Sequence, residues 1–114
     1  MAILRSETGG VHVLSCTGEL ALGKGDAELL AALQESLEAG ARRIVLDLVR
    51  LAWVDSAGVG AIVACSKRAA DRAAIVRVAA APDGAVRRIL VATHLHKVFD
   101  IFDDVASARK DFGA

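Results

Sequence analysis

Six consecutive positions, Ile44-Val45-Leu46-Asp47-Leu48-Val49, hold a single polar residue. A segment so short and so apolar reads as a strand covered on both faces, which places it at the centre of a sheet. A central strand of this kind needs layers packed above and below it, and the neighbouring segments supply them. From Asp26 to Glu38, Leu29, Leu30, Leu33 and Leu37 recur at helical spacing while Glu28, Gln34, Glu35 and Glu38 point elsewhere. Asp26 supports the start of that helix and Gly40 ends it.

Val11 to Cys16 is apolar and β-branched and is followed by Gly18, so it reads as a strand, with a shorter one near Ile3 to Arg5 before it. After Ser56 a helix carries Val59, Ala61, Ile62, Val63, Ala64 and Cys65 and turns polar at Ser66, Lys67 and Arg68. Ala74 to Ala80 is a strand. The Pro82-Asp83-Gly84 turn leads into a helix with Val86, Ile89 and Leu90 inward and Arg87 and Arg88 facing water. A short strand from Val98 to Ile101 and a helix from about Asp104 to Phe112 close the chain. Strands alternating with helices predict an α/β fold: a mixed, mainly parallel sheet of four to five strands with about four helices and an antiparallel N-terminal edge.

The 114 residues fit one domain, residues 1–114, without linkers, repeats or low-complexity segments. Fourteen basic residues balance fourteen acidic ones, so no overall positive field gathers nucleic acid or anionic lipid. Although 54% of the residues are apolar, no run approaches the roughly 18 residues of a membrane span. No secretion signal opens the chain, and a cytoplasmic protein without direct membrane insertion is expected. Cys16 and Cys65 lie in apolar surroundings with no CxxC spacing, which reads as two reduced core thiols.

The junction Trp53-Val54-Asp55-Ser56-Ala57-Gly58-Val59-Gly60 joins an apolar strand-like segment to an apolar helix. Ser56 therefore falls on the first turn of a helix, where backbone N–H groups lack partners and a hydroxyl ringed by small residues is open to another protein. The Asp-Ser pair also makes an ordinary helix cap, and the two roles are compatible. Gly58 and Gly60 serve either close packing or close approach of a partner. Asp55 orients the loop, and Trp53 is expected in the core beneath, the alternative being an exposed ring that anchors an interface. Gly18 to Lys24 spells GxxxxGK after a strand, but Gly25 stands where a magnesium-binding hydroxyl belongs and Glu19 sets a negative charge in the cradle, which argues against nucleotide hydrolysis. Gly58-Val59-Gly60 has Val63 at the third glycine of a dinucleotide fingerprint. His94 and His96 have no third ligand nearby, so neither a metal nor a cofactor is assigned.

Gly18-Glu19-Leu20, the strand Ile44 to Leu48, Asp55-Ser56-Ala57-Gly58-Val59-Gly60 and Val98-Phe99-Asp100-Ile101 follow one another in an order that resembles STAS domains, and among them the anti-sigma factor antagonists. The resemblance implies a non-enzymatic protein that binds an anti-sigma factor serine kinase and so frees a sigma factor. It implies Ser56 as the phosphorylation site, a serine phosphatase that reverses the modification, and a partner-binding surface of Glu19, Ala21, Lys24, Asp55, Ser56, Ala57, Gly58, Val59 and Gly60. The chain departs from the family pattern where Ala21 replaces an aspartate and Leu22-Gly23-Lys24-Gly25 replaces polar residues. The alternative is a STAS adaptor subunit of a lipid-transport or stress-signalling complex, bound constitutively through the same surface.

Overall fold

A computed structural model describes residues 1–113. The elements run β1 (Ala2–Thr8), β2 (Val11–Leu20), α1 (Asp26–Glu38), β3 (Arg43–Asp47), β4 (Leu51–Val54), α2 (Ser56–Ala70), β5 (Ile75–Ala79), α3 (Ala85–Ala92), a 3₁₀ turn at Leu95–Lys97, β6 (Ile101–Phe102) and α4 (Val105–Asp111). The strands lie in the order β1-β2-β3-β5-β6, with β4 pairing the far end of β2. The β1–β2 hairpin is antiparallel and every other pairing is parallel. This is the mixed α/β sheet with an antiparallel edge that the alternation of strand and helix signals predicts.

Alternation along the strands divides the interior in two. Leu14, Cys16, Ile44, Leu46, Val76 and Val78 face the layer that holds Leu29 and Leu33 of α1, Ile62 and Cys65 of α2, and Val86 and Leu90 of α3. Val11, Val13, Val45 and Ala79 face the other way, against Ala108 of α4 with Val105 and Phe112 beside it. Both faces of β3 are thus covered, as its apolar run requires. The thiols of Cys16 and Cys65 sit in the larger layer, and burial pushes both up to about 12, with the Asp47 carboxylate adding to the effect at Cys16.

Three expectations are corrected. Of the segment Val98 to Ile101 only Ile101 lies in a strand. Phe99 donates its N–H to the Leu95 carbonyl at 2.9 Å, and both side chains are buried, so the chain coils before a two-residue strand begins at Ile101. Leu51–Val54 is a strand of its own: β3 stops at Asp47, a tight turn at residues 48–50 interrupts it, and β4 carries on in the same direction along the far end of β2. Arg87 does not face water. Its Nη2 donates to the carbonyls of Ala80 at 2.6 Å and Phe102 at 3.0 Å and reaches the Asp103 carboxylate at 3.1 Å, tying β6 to the end of β5.

Candidate functional site

The end of β2 and the end of β4 run side by side, pairing Glu19 with Trp53 and Leu20 with Val54. The Asp55 N–H then donates to the Leu20 carbonyl at 3.2 Å, and the chain turns into α2. Gly58 makes this junction possible. A Cβ there would collide with the Leu20 carbonyl oxygen and with Val54 Cγ2, so only glycine lets the first turn of α2 lie against the two strand ends. Gly60, by contrast, faces open space.

Asp55 is the N-cap of α2, and each of its carboxylate oxygens has a separate task. Oδ1 accepts from the Gly58 N–H at 2.8 Å, satisfying one free amide of the helix start. Oδ2 accepts from the Leu22 N–H at 3.1 Å, in the loop between β2 and α1. These two bonds, Gly58 first and Leu22 second, hold the carboxyl below its ordinary range, so it stays ionised at neutral pH. The loop is closed on itself as well: Ala21 and Lys24 exchange backbone hydrogen bonds of 2.9 Å in both directions, and the Lys24 ammonium meets Glu19 at 3.4 Å. Gly25, with φ at +84°, then starts α1, so the glycine that spoils the phosphate-loop pattern is required by the backbone.

The predicted residues therefore meet at one end of the sheet. Ser56 is exposed on the first turn of α2, with Gly60 exposed one helical turn on; Ala57 and Asp55 are half-buried. Glu19 and Lys24 are exposed and neutralise each other, and Ala21 is half-buried. Gly58 and Val59 are buried beneath the surface, so they position the backbone of α2 rather than offer side chains to a partner.

Two further residues belong to the rim. Leu22 is 79% exposed at the tip of the tied loop, and Trp53 is 46% exposed on β4. Trp53 is thus not the core residue expected of it: the pairing of β2 with β4 shifts register between Gly18 and Glu19, and Leu51 and Val54 turn inward while Ala52 and Trp53 turn out. The signal that could have found Leu22 is an apolar residue set among glycines with no periodicity to bury it. Elsewhere, the rings of His94 and His96 stack at 6.2 Å between centroids, and no cluster of three metal-ligating side chains occurs among the described residues.

The model of the STAS domain matches residues 2–108, nearly the whole chain. The chain belongs to the STAS domain family. A search of curated proteins by sequence found no match. Among solved structures, this STAS domain is similar to an anti-sigma factor antagonist from Mycobacterium paratuberculosis, with 22% identity, a TM-score of 0.84, and 96% of this chain and 92% of that one covered. It is also similar to the phosphorylated form of the Bacillus cell fate determinant SpoIIAA, with 20% identity, a TM-score of 0.70, and coverage of 99% and 100%. A sulfate transporter family protein from Wolinella succinogenes shares the fold at 17% identity and a TM-score of 0.72, covering 94% and 91%. At such identities these likenesses establish the fold of the STAS domain, while its chemistry rests on its own residues.

Proposed function

We propose that this STAS domain is a cytoplasmic anti-sigma factor antagonist that acts by binding and carries out no catalysis of its own. With Ser56 bare, the surface formed by Asp55, Ser56, Ala57, Gly60, Glu19, Ala21 and Lys24 docks an anti-sigma factor serine kinase, and a sigma factor is released. The kinase transfers a phosphoryl group from ATP to the Ser56 hydroxyl, which ends binding, and a serine phosphatase restores it. The observation that carries the reading is the placement of Ser56: exposed, on the first turn of a capped helix, beside a neutral loop that Asp55 fastens to the same turn. The names of solved relatives, an anti-sigma factor antagonist and SpoIIAA in its phosphorylated form, support it.

The size of the switch follows from charge. A phosphate adds about −1.5 to −2 charges, and the positive end of α2 offsets part of this by roughly 0.3 to 2 kcal/mol, so the fold survives. Burying that dianion against a partner, next to an ionised Asp55, costs several kcal/mol, and about 1.4 kcal/mol is tenfold in affinity. Modification therefore expels the partner without unfolding the domain.

The test is to mix the purified protein with candidate anti-sigma kinases from the same genome and ATP, then map added phosphate by mass spectrometry. Phosphate on Ser56, absent from Ser56→Ala, together with loss of kinase binding by Ser56→Glu, is the expected result. Equal binding by Ser56→Glu would defeat the switch. The exposed Leu22 and Trp53 would serve equally a constitutive adaptor in a lipid-transport or stress-signalling complex, whose mark is stable co-purification with a transporter or scaffold subunit that ignores Ser56→Glu.

A further inference from the structure

β1 closes one edge of the sheet. Its one strand partner among the described residues is β2, and six of its seven residues are exposed. The outer side of such a strand carries a row of backbone N–H and C=O groups able to pair with another strand; at its end the Thr8 carbonyl also accepts from Arg109 Nη2 at 3.3 Å and keeps one lone pair for a second donor. The side chains on it determine which strand fits.

Two copies of one strand, related by a twofold axis, pair antiparallel only when the numbers of opposed residues add to an even sum, because inward and outward backbone groups alternate. Centring the axis on Leu4, Arg5 or Ser6 keeps five or more residues of β1 paired. Centring on Arg5 opposes Arg5 to itself, which is repulsive. Centring on Leu4 sets Arg5 against Ile3. Centring on Ser6 sets Arg5 of each copy against Glu7 of the other, so two opposite-charge pairs form at once on the same face of the joined sheet. Both residues have capacity to spare. Arg5 uses Nη1 for Glu35 at 2.8 Å, and Glu7 uses Oε2 for His12 at 2.9 Å, which leaves further guanidinium N–H groups and a second carboxylate oxygen. In this register Leu4, 76% exposed, lies opposite Thr8 of the second copy.

We propose that the outer edge of β1 is a homodimer interface, with Ser6 on the twofold axis and Arg5 paired with Glu7 of the second copy. The paired stretch, Leu4 to Thr8, lies toward the Thr8–Val11 end of the hairpin, whereas the Ser56 surface adjoins the other end, where Ala2 pairs with Thr17 beside Gly18. One dimer thus presents two uncovered Ser56 surfaces.

Sedimentation equilibrium over micromolar to millimolar concentrations tests the proposal, with circular dichroism confirming that each variant is folded. The wild type is expected to dimerise, more weakly at high salt. Arg5→Glu and Glu7→Arg should each weaken the dimer about tenfold or more, because each change acts at two pairs, and the double variant Arg5→Glu/Glu7→Arg should recover it. Glu35→Gln, which removes only the pair within one chain, should leave the dimer in place. A protein monomeric at millimolar concentration, a dimer indifferent to Arg5→Glu, a double variant no better than the single ones, or an equal loss in Glu35→Gln would each overturn it.

Discussion

The Asp55 carboxylate holds the Leu22 backbone N–H at 3.1 Å across 33 positions of the chain, while its other oxygen caps the helix that begins at Ser56. Helix α2 and the neighbouring loop are therefore fastened by one side chain. Asp55→Ala should lower the melting temperature and speed hydrogen exchange at the Leu22 and Gly58 amides, with Asp55→Asn between it and the wild type because an acceptor remains. The pH dependence has a definite sign. A carboxyl whose folded pKa lies below the ordinary 3.8 contributes its stability above that value and loses it as pH falls through the lower folded one. The gap in melting temperature between wild type and Asp55→Asn should close in strong acid. A gap that stays constant with pH would show that the charge on Asp55 contributes nothing.

The two glycines of the junction should respond in opposite ways. At Gly58 an alanine methyl meets the Leu20 carbonyl and Val54, and the backbone atom cannot swing aside. Gly58→Ala should cost about 2 kcal/mol net, overpacking exceeding the gain in helix propensity. At Gly60 nothing lies within 4 Å, and Gly60→Ala should be neutral or stabilise by about 0.5–1 kcal/mol. Urea denaturation of both variants decides this. If Gly60→Ala is well folded yet fails to bind the kinase, Gly60 is a place of close partner approach.

Arg87 helps to secure a short edge: β6 is two residues long and is otherwise tied to β5 by the Ala80 N–H to the Phe102 carbonyl at 2.9 Å and by the Arg77–Asp100 ion pair at 2.9 Å. Its guanidinium supplies hydrogen bonds to two carbonyls and lies beside Asp103. Arg87→Met keeps much of the stem but strands the Ala80 carbonyl, which should cost about 2 kcal/mol and lower the melting temperature by roughly 8 °C for a domain of this size. Arg87→Lys should recover only part: all three contacts come from Nη2 at the far end of the side chain, and the shorter lysine does not carry its ammonium to the same place. A melting temperature unchanged in Arg87→Met would mean that β6 is held without Arg87.

Local signals were sufficient where burial follows sequence spacing. Helix α1 begins and ends at the residues its leucine periodicity predicts, Asp26 and Glu38, and the run from Ile44 marks the central strand. They failed where a distant part of the chain decides the outcome. Arg87 sits on the polar side of a short helix by periodicity, and only the fold brings the carbonyls of Ala80 and Phe102 to it. Val98 to Ile101 has strand composition, but the Leu95 and Phe99 side chains are buried one coil apart. The four residues of β4 are too few for a period of two to register, and a shifted pairing with β2 leaves Trp53 outward. Within the site, the position of Ser56 on a helix start was legible from the glycines and the aspartate around it; the bond from Leu22 to Asp55 was not, because it joins residues far apart in the chain.

Trp53 is the one tryptophan of the protein, half-exposed on the strand that leads into Asp55 and Ser56, and it offers a direct reading of the surface. An aromatic ring placed at the rim of a hydroxyl-bearing face gains by being covered, and such residues often dominate binding energy. If the proposed kinase docks on the unmodified protein, Trp53 emission should move to shorter wavelength as water leaves the indole. The same titration with Ser56→Glu should give no shift, because the charge keeps the partner away while Trp53 itself is unaltered. Trp53→Ala should weaken binding by about tenfold or more and change the melting temperature by only a few degrees, since nearly half of the side chain is already in water. Wild-type affinity in Trp53→Ala would place the partner on the Lys24 side of Ser56 instead, and Leu22→Ala would then be the variant that loses binding.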